Sequence, residues 1–316
     1  MSLYLGIDTS NYKTSVALFD AKTQRYRNES LLLAVPEGRL GLRQSDALFQ
    51  HVVNLPNLFH RFKAEFGAAI SGVGVSSRPR AVEGSYMPCF LAGLAAGEAI
   101  AKTHNTPCLH LSHQQGHIVS AAFSAGKLDW IGRRFYVWHL SGGTTELLLA
   151  DRSAGCALQT EIVGGTTDIA AGQLIDRAGV MLSLSFPAGA QLEQIAEMDT
   201  NCGYQPKSTD GYFSLSGMEN KIKAFYESGA QPGDVAAAAI QTVCNAIVRA
   251  TEQRMKIEPL PVLFCGGVAA NGYLRKRMEQ AFPGQCWFAS GELSGDNAVG
   301  AAIFSYYSQQ KEQGML

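Results

Sequence analysis

The chain is 316 residues long, 46% hydrophobic and 17% charged, with a formal net charge of −1. That length exceeds one small core and suits two domains, and the composition excludes a disordered chain. The near-neutral charge excludes a global electrostatic grip on nucleic acid, so an RNA partner would need a local basic patch or another subunit.

Leu3–Thr9 and Thr14–Asp20 read as strands joined by a short polar turn, with Asn28–Val35 as a third strand. Strand 1 follows Met1 almost directly, which leaves no room for a signal peptide. Arg43–Phe66 has helical spacing, Ala69–Ser76 is strand-like, and Cys89–Thr103 is a helix of small residues. The apolar run within that helix is too short to span a membrane and is interrupted by Glu98, so the expected location is cytoplasmic with no membrane partner. Seven cysteines (Cys89, Cys108, Cys156, Cys202, Cys244, Cys265 and Cys286) are dispersed with no Cys-x-x-Cys pair. This argues against a disulfide framework or a cysteine-type zinc site and fits buried thiols in a reducing compartment.

After a short strand at Cys108–Leu111, Ser112 is a natural cap for a helix that opens with His113 and carries His117. An i, i+4 spacing sends both imidazoles to one side, one turn apart, which is how a helix offers two nitrogens to one metal ion. The same spacing is common on helices that bind nothing, so the pair by itself leaves both readings open.

The pattern restarts after Arg134. Phe135–Leu140 and Thr145–Asp151 are strands around the turn Ser141-Gly142-Gly143, with Leu158–Val163 as a third strand and Thr167–Leu182 as a helix. Residues 185–230, rich in Pro, Gly and Ser, read as an inserted lobe. Asp234–Met255, Asn271–Gln280 and Asp296–Gln309 are helices, and Pro261–Cys265 is a buried strand. The expected division is a domain over 1–130 and another over 131–316, the last helix packing back across the domains. The order of elements in the two halves repeats. Each half has a Gly/Ser/Thr turn whose backbone N–H groups suit nucleotide phosphates, so the expected architecture is α/β with two domains and a nucleotide cleft between them.

Ordered segments along the chain carry a resemblance. They are Leu5-Gly6-Ile7-Asp8-Thr9-Ser10, Ser112-His113-x-x-Gly116-His117, Ser141-Gly142-Gly143-x-Thr145, and Asp168-x-Ala170-Ala171-Gly172-x3-Asp176. Phe186-Pro187-x-Gly189, Phe213-Ser214-x-Ser216-Gly217, Gly266-Gly267-Val268-Ala269-Ala270-Asn271 and Asp296-Asn297 continue the series. The chain resembles the universal tRNA threonylcarbamoyladenosine synthase family, once called the O-sialoglycoprotein endopeptidase or glycoprotease family. That resemblance implies the actin-like fold shared with sugar kinases and heat-shock ATPases. It implies a divalent metal, iron or zinc with magnesium also admissible, held by His113, His117 and Asp296. In one branch of the family a Tyr two residues before the Ser-Gly-Gly turn also binds the metal; here that position is His139, an equally good ligand for iron or zinc. The resemblance further implies ATP or an adenylate held by Ser141, Gly142, Gly143, Asp176, Gly189, Gly266, Gly267 and Asn271, with Asp8 as a catalytic-side acid. Its implied partners are a nucleotide, tRNA and the small subunits of a tRNA-modifying complex.

Departures from the family fall at functional turns. The usual Thr-Ser-Cys-Asp-Glu-Thr reads Thr9-Ser10-Asn11-Tyr12-Lys13-Thr14, so a carboxylate becomes an ammonium at Lys13, a candidate catalytic residue that would act as a phosphate-binding cation. The family's Gly-Pro-Gly-Leu loop becomes Arg78-Pro79-Arg80-Ala81, and Thr144 and Glu146 replace residues of the Ser-Gly-Gly segment. Two functions therefore stand. One is transfer of threonylcarbamoyl from its adenylate to the N6 amine of an adenosine beside the tRNA anticodon; the other is an ATP-binding or regulatory paralogue without that activity. A metalloprotease is disfavoured because Gln114 occupies the position of the general-base Glu in His-Glu-x-x-His, and an amide cannot accept the water's proton.

Overall fold

The computed structural model describes residues 2–10, 12–35, 42–62, 69–153 and 156–312. The chain divides into two compact units, one of Met1–Ile131, Ala154–Gln159 and Gly295–Leu316, the other of Gly132–Ser153 and Thr160–Ser294.

The first unit is organised on β1 (Leu3–Asp8), buried along its whole length. A strand covered on both faces needs continuous apolar sequence rather than alternation, which Leu3-Tyr4-Leu5-Gly6-Ile7 supplies. β2 (Lys13–Asp20) pairs antiparallel with β1 and with β3 (Arg25–Leu32), while β4 (Ile70–Arg78) pairs parallel with β1 and with β5 (Cys108–Ser112). The sheet order is β3-β2-β1-β4-β5. The edge strand β3 carries Arg25, Arg27 and Glu29, charges that discourage pairing with another chain. α1 (Gln44–Arg61) and α2 (Phe90–Thr103) complete one core layer, where Leu55, Leu58, Phe62 and Ala92 pack with Leu5, Ile7, Val73 and Val75. α3 (His113–Ser124) starts at a capping box. Ser112 Oγ accepts from Gln115 N at 3.1 Å, and Gln115 Oε1 accepts from Ser112 N at 2.7 Å.

The second unit holds β6 (Phe135–Leu140), β7 (Thr145–Ser153) and, from Thr160 onward, β8 (Cys156–Thr166), followed by α4 (Ala171–Met181) and α5 (Gly189–Ile195). β9 (Ser208–Thr209), β10 (Tyr212–Phe213), α6 (Ser216–Glu227) and α7 (Pro232–Ile257) come next. β11 (Val262–Cys265), α8 (Gly272–Ala281), β12 (Cys286–Phe288) and α9 (Gly291–Ser294) complete it. The sheet order is β12-β11-β6-β7-β8-β10-β9. β6 stands where β1 stands in the first sheet, with an antiparallel hairpin partner on one side and a parallel strand on the other. Residues 185–230 enter the core of this unit: Leu192, Phe213, Leu215 and Ile222 pack in the same cluster as Trp138, Leu147, Phe264 and Ile247, and β10 pairs with β8. Composition averaged over that segment hides the few apolar positions that do this.

α4 begins at Ala171, four residues after the start expected from helical spacing. The carboxylate of Asp168 accounts for the difference. It accepts from Ile169 N, Leu215 N and Ser216 N and from the hydroxyls of Ser214 and Ser216, so the local backbone bonds to a side chain instead of entering the helix. Those bonds hold the Asp168 carboxyl well below the ordinary carboxylate range against the opposing effect of burial.

The chain then returns to the first unit with α10 (Val299–Glu312). Its start also lies later than expected, because Asn297 Oδ1 accepts from Val299 N at 3.0 Å and keeps Asp296 and Asn297 outside the helix. α10 lies against β1, β4 and α3 at backbone distance. A methyl group built on Gly6 would stand 2.0 Å from Ala298 O, one on Gly74 2.0 Å from Ala301 O, and one on Gly300 1.9 Å from Gly116 O. Since the opposing atoms are backbone, none can swing aside. Gly300→Ala is expected to destabilise the protein by about 2 kcal/mol through overpacking. Gly217→Ala, with no neighbouring atom within 4 Å, should change stability by no more than about 0.5 kcal/mol. Denaturant midpoints of the two variants check this.

Candidate functional sites

Within the first unit, three side chains from two distant parts of the sequence converge. His113 Nε2 and His117 Nε2 stand 2.9 Å apart, and Asp296 Oδ1 lies 3.1 Å from His117 Nε2 and 3.4 Å from His113 Nε2. The helix pitch brings the two rings to a centroid separation of 4.3 Å. The close approach of α10 brings the loop before it, with Asp296, to α3. Donor atoms around a tetrahedral cation with bonds of about 2.1 Å stand about 3.4 Å apart. The three atoms therefore need to open by no more than about half an ångström to hold one.

Asp8, at the end of β1 and 1% exposed, stands behind this set. Its Oδ2 accepts from His113 Nδ1 at 2.8 Å and from Ser76 Oγ at 2.5 Å; its Oδ1 accepts from Ser10 N at 2.9 Å and from Ser10 Oγ. A carboxylate on Nδ1 fixes the imidazole's tautomer and aims the lone pair of Nε2 at the other two donors. Burial disfavours a charged His113, but the Asp8 charge and the hydrogen bonds to Asp296 and Asp8 outweigh it and raise the ring's pKa to about 10. Burial likewise opposes ionisation of Asp296 and Asp8. Hydrogen bonds from His113 and His117 hold Asp296 far below the ordinary range, and the charge of His113 leads the effects that lower Asp8. Two carboxylates and two neutral imidazoles would be neutralised by one divalent cation, which would take the place of the proton on His113 Nε2.

Lys13 Nζ donates to the backbone oxygen of Asp296 at 2.9 Å, so the ammonium that replaces a family acid lies beside the candidate metal set. Its neighbour Tyr12 is exposed, and Asn11 lies outside the described residues. The loop Arg78-Pro79-Arg80 abuts the first turn of α3, where Pro79 O accepts from Gln114 N at 3.1 Å. His139 is on β6 in the second unit, in register with Glu146 of β7 and Cys265 of β11.

The second unit contains a cavity of about 470 Å³, within the range of small-molecule sites. Of the residues that the resemblance assigns to the nucleotide, Gly142, Asp176, Gly189, Gly267 and Asn271 line it; Ser141, Gly143 and Gly266 do not. Ser141 and Gly143 belong to the turn closed by Ser141 N donating to Thr144 O at 2.8 Å. Gly266 has a structural reason to be glycine, with φ at +93° and a methyl position 2.1 Å from Leu140 O. Methyl groups on Gly142, Gly143 and Gly267 would meet no protein atom within 4 Å. Packing does not require glycine there, and the bare backbone leaves room for a ligand to approach. Gly172, by contrast, is held 2.6 Å from Gly142 Cα and Ser141 O at its methyl position, which presses α4 against the turn. Asp176 Oδ1 accepts from Ala188 N at 2.8 Å and so shapes the wall of the cavity before α5.

Sequence reading passed over Ser76, Glu193 and the apolar wall of Ile175 and Ile240. Glu193 lines the cavity and accepts from Gly272 N at 2.7 Å, a contact across 79 residues that no local pattern announces.

The family model described as "TsaD: tRNA N6-adenosine threonylcarbamoyltransferase" matches residues 41–303. A curated relative from Enterococcus faecalis bearing the same description is 33% identical over 253 residues, covering 74% of this chain and 69% of its own. Among solved structures, full-length HypF in its phosphate- and nucleotide-bound form aligns with a TM-score of 0.62 at 14% identity, over 99% of this chain and 56% of that one. A ROK family glucokinase from Streptomyces griseus in complex with glucose and AMPPNP aligns at 0.54 and 13%, over 97% of this chain and all of that one. These likenesses carry the fold: the two-sheet α/β architecture of actin-like ATPases and sugar kinases.

Asp8→Asn keeps the shape of the acid but removes the charge behind His113. It is expected to weaken divalent-metal affinity by about 10- to 100-fold, as read by calorimetric titration of metal-free protein with Zn²⁺ or Fe²⁺.

Proposed function

The chain belongs to the TsaD family, tRNA N6-adenosine threonylcarbamoyltransferase, and we propose that it performs this transfer on the adenosine beside the tRNA anticodon. In the reaction the exocyclic N6 amine attacks the carbamoyl carbon of threonylcarbamoyl-adenylate. An N–C bond forms, the bond from that carbon to the phosphate oxygen breaks, AMP leaves, and the amine loses one proton. The observation that carries the proposal is the cluster of His113, His117 and Asp296 with Asp8 bonded to His113.

In this reading His113, His117 and Asp296 hold a divalent metal, with His139 as a fourth ligand. Two or three imidazoles with a carboxylate suit iron or zinc better than magnesium. When bound, the metal supplies Lewis acidity toward phosphate and carbamoyl oxygens. Asp8 orients His113 and keeps its Nε2 available. The open backbone at Gly142, Gly143 and Gly267 suits the approach of the nucleotide, and Asp176 and Asn271 offer polar groups for its ribose and base. Gly189 lines the same cavity, and Gly266, packed on Leu140 outside it, holds Gly267 in place. Lys13 and the loop of Arg78 and Arg80 add cationic charge for phosphate, from the adenylate or from tRNA. Small partner subunits supply the adenylate. No helix among the described residues is long and apolar enough to cross a membrane, and we place the protein in the cytoplasm with its tRNA.

Lys13 favours a second reading. An ammonium bonded to Asp296 O, where the family has an acid, suits a nucleotide-binding protein that does not modify tRNA.

Purified protein supplied with tRNA, ATP, threonine, bicarbonate and an adenylate-forming partner is expected to yield the modified nucleoside by mass spectrometry. His113→Ala, His117→Ala and Asp296→Ala should each lower the yield at least about 100-fold. Absence of product alongside intact ATP and metal binding would overturn the transferase reading and leave the second. Recovery of product in Tyr12→Asp with Lys13→Glu would assign the loss to that turn.

A separate measurement concerns His139. Metal content and affinity are expected to fall in His139→Ala, and unchanged values would remove it from the ligand set.

A further inference from the structure

Away from the His113–His117–Asp296 set, a second group of ligand-type side chains meets on the first unit. Cys108 and His110 are two residues apart on β5, so both point to one face of the strand. β5 is the edge of its sheet, and α2 brings Glu98 to that face. One ligand atom from each of Glu98, Cys108 and His110 lies within 4.8 Å of the others, and His110 Nε2 is 2.7 Å from Glu98 Oε1. The Glu98 and His110 side chains are 40% and 44% exposed, so they have the freedom to open around an ion, and Cys108 is half-buried beneath them. Dispersed cysteines carry no spacing signal, and His110 stands in no ligand-type spacing that would mark it as more than a structural or surface residue; the fold places the three together.

We propose that Glu98, Cys108 and His110 form a second binding site for a zinc-class divalent cation, with its fourth position open to water or an outside ligand. A thiolate, an imidazole and a carboxylate match the borderline-soft preference of Zn²⁺ or Co²⁺, whereas Mg²⁺ and Ca²⁺ seek oxygen ligands. Binding forms a metal–sulfur bond, and the thiol proton passes to solvent. The ion would tie α2 to the edge strand of the sheet, which is a stabilising cross-link rather than part of the transfer chemistry.

The test uses the full chain carrying His113→Ala and His117→Ala, so that the first set no longer contributes, titrated with Co²⁺. The expected result is one bound equivalent with a thiolate-to-cobalt charge-transfer band, displaced by Zn²⁺. Adding Cys108→Ser should abolish the band. Adding His110→Ala should weaken binding at least about tenfold. Adding Cys202→Ser, which removes the other partly buried thiol among the described residues, should leave the band in place. Absence of the band before any of these additions, or its survival in Cys108→Ser, overturns the proposal. If Cys108→Ser fails to fold, the exposed His110→Ala decides: unchanged Co²⁺ affinity overturns the site as well.

Discussion

The approach of α10 to β1, β4 and α3 is the constraint on which the first unit's chemistry depends. Helices normally stand off a sheet by the thickness of their side chains. Here Gly6, Gly74 and Gly300 remove that thickness, and backbone meets backbone. The consequence is positional. Asp296 leads into α10, and His113 and His117 lie on α3, so the closeness of the two helices sets the distance between carboxylate and imidazoles. Asn297, which caps α10 through Val299 N, keeps Asp296 in the loop instead of committing it to helical geometry.

Electrostatics turn this arrangement into a site. Two carboxylates, one of them 1% exposed, share two imidazoles in a small volume. Without a cation that charge is compensated by holding a proton on His113, which is why its pKa rises to about 10 despite burial. The ligand atoms already face inward, so a divalent cation that displaces this proton can occupy the set with little rearrangement. Lys13, bonded to Asp296 O, contributes positive charge beside the candidate metal set, which attracts anions rather than adding a ligand.

The second unit uses glycine for two unlike purposes. Gly172 and Gly266 are required by the protein's own packing, since side chains there would collide with the backbone of Ser141, Gly142 and Leu140. Gly142, Gly143 and Gly267 are under no such requirement and leave open backbone at or near a cavity of about 470 Å³. The packing glycines fix where the open ones stand, so the open surface at the cavity is a product of tight packing one layer below.

What was legible in the sequence was whatever depends on near neighbours. The buried run Leu3-Tyr4-Leu5-Gly6-Ile7, the restart at Phe135, the cap at Ser112 and the i, i+4 histidines follow from local periodicity, which the backbone imposes within a few residues. The resemblance supplied the family and named Asp296, 179 residues beyond His117, but no spacing could supply the distance between them. The tertiary structure decided the rest. Asp168 shortened α4 by bonding to residues 46–48 positions away. Asp8 became the partner of His113 because the parallel strands β1 and β5 end on the same side of the sheet, where β5 leads into α3, and Glu98, Cys108 and His110 met because α2 folds over β5. Such contacts depend on which helix lies on which strand, and that choice is made by the summed burial of many apolar side chains rather than by any short pattern.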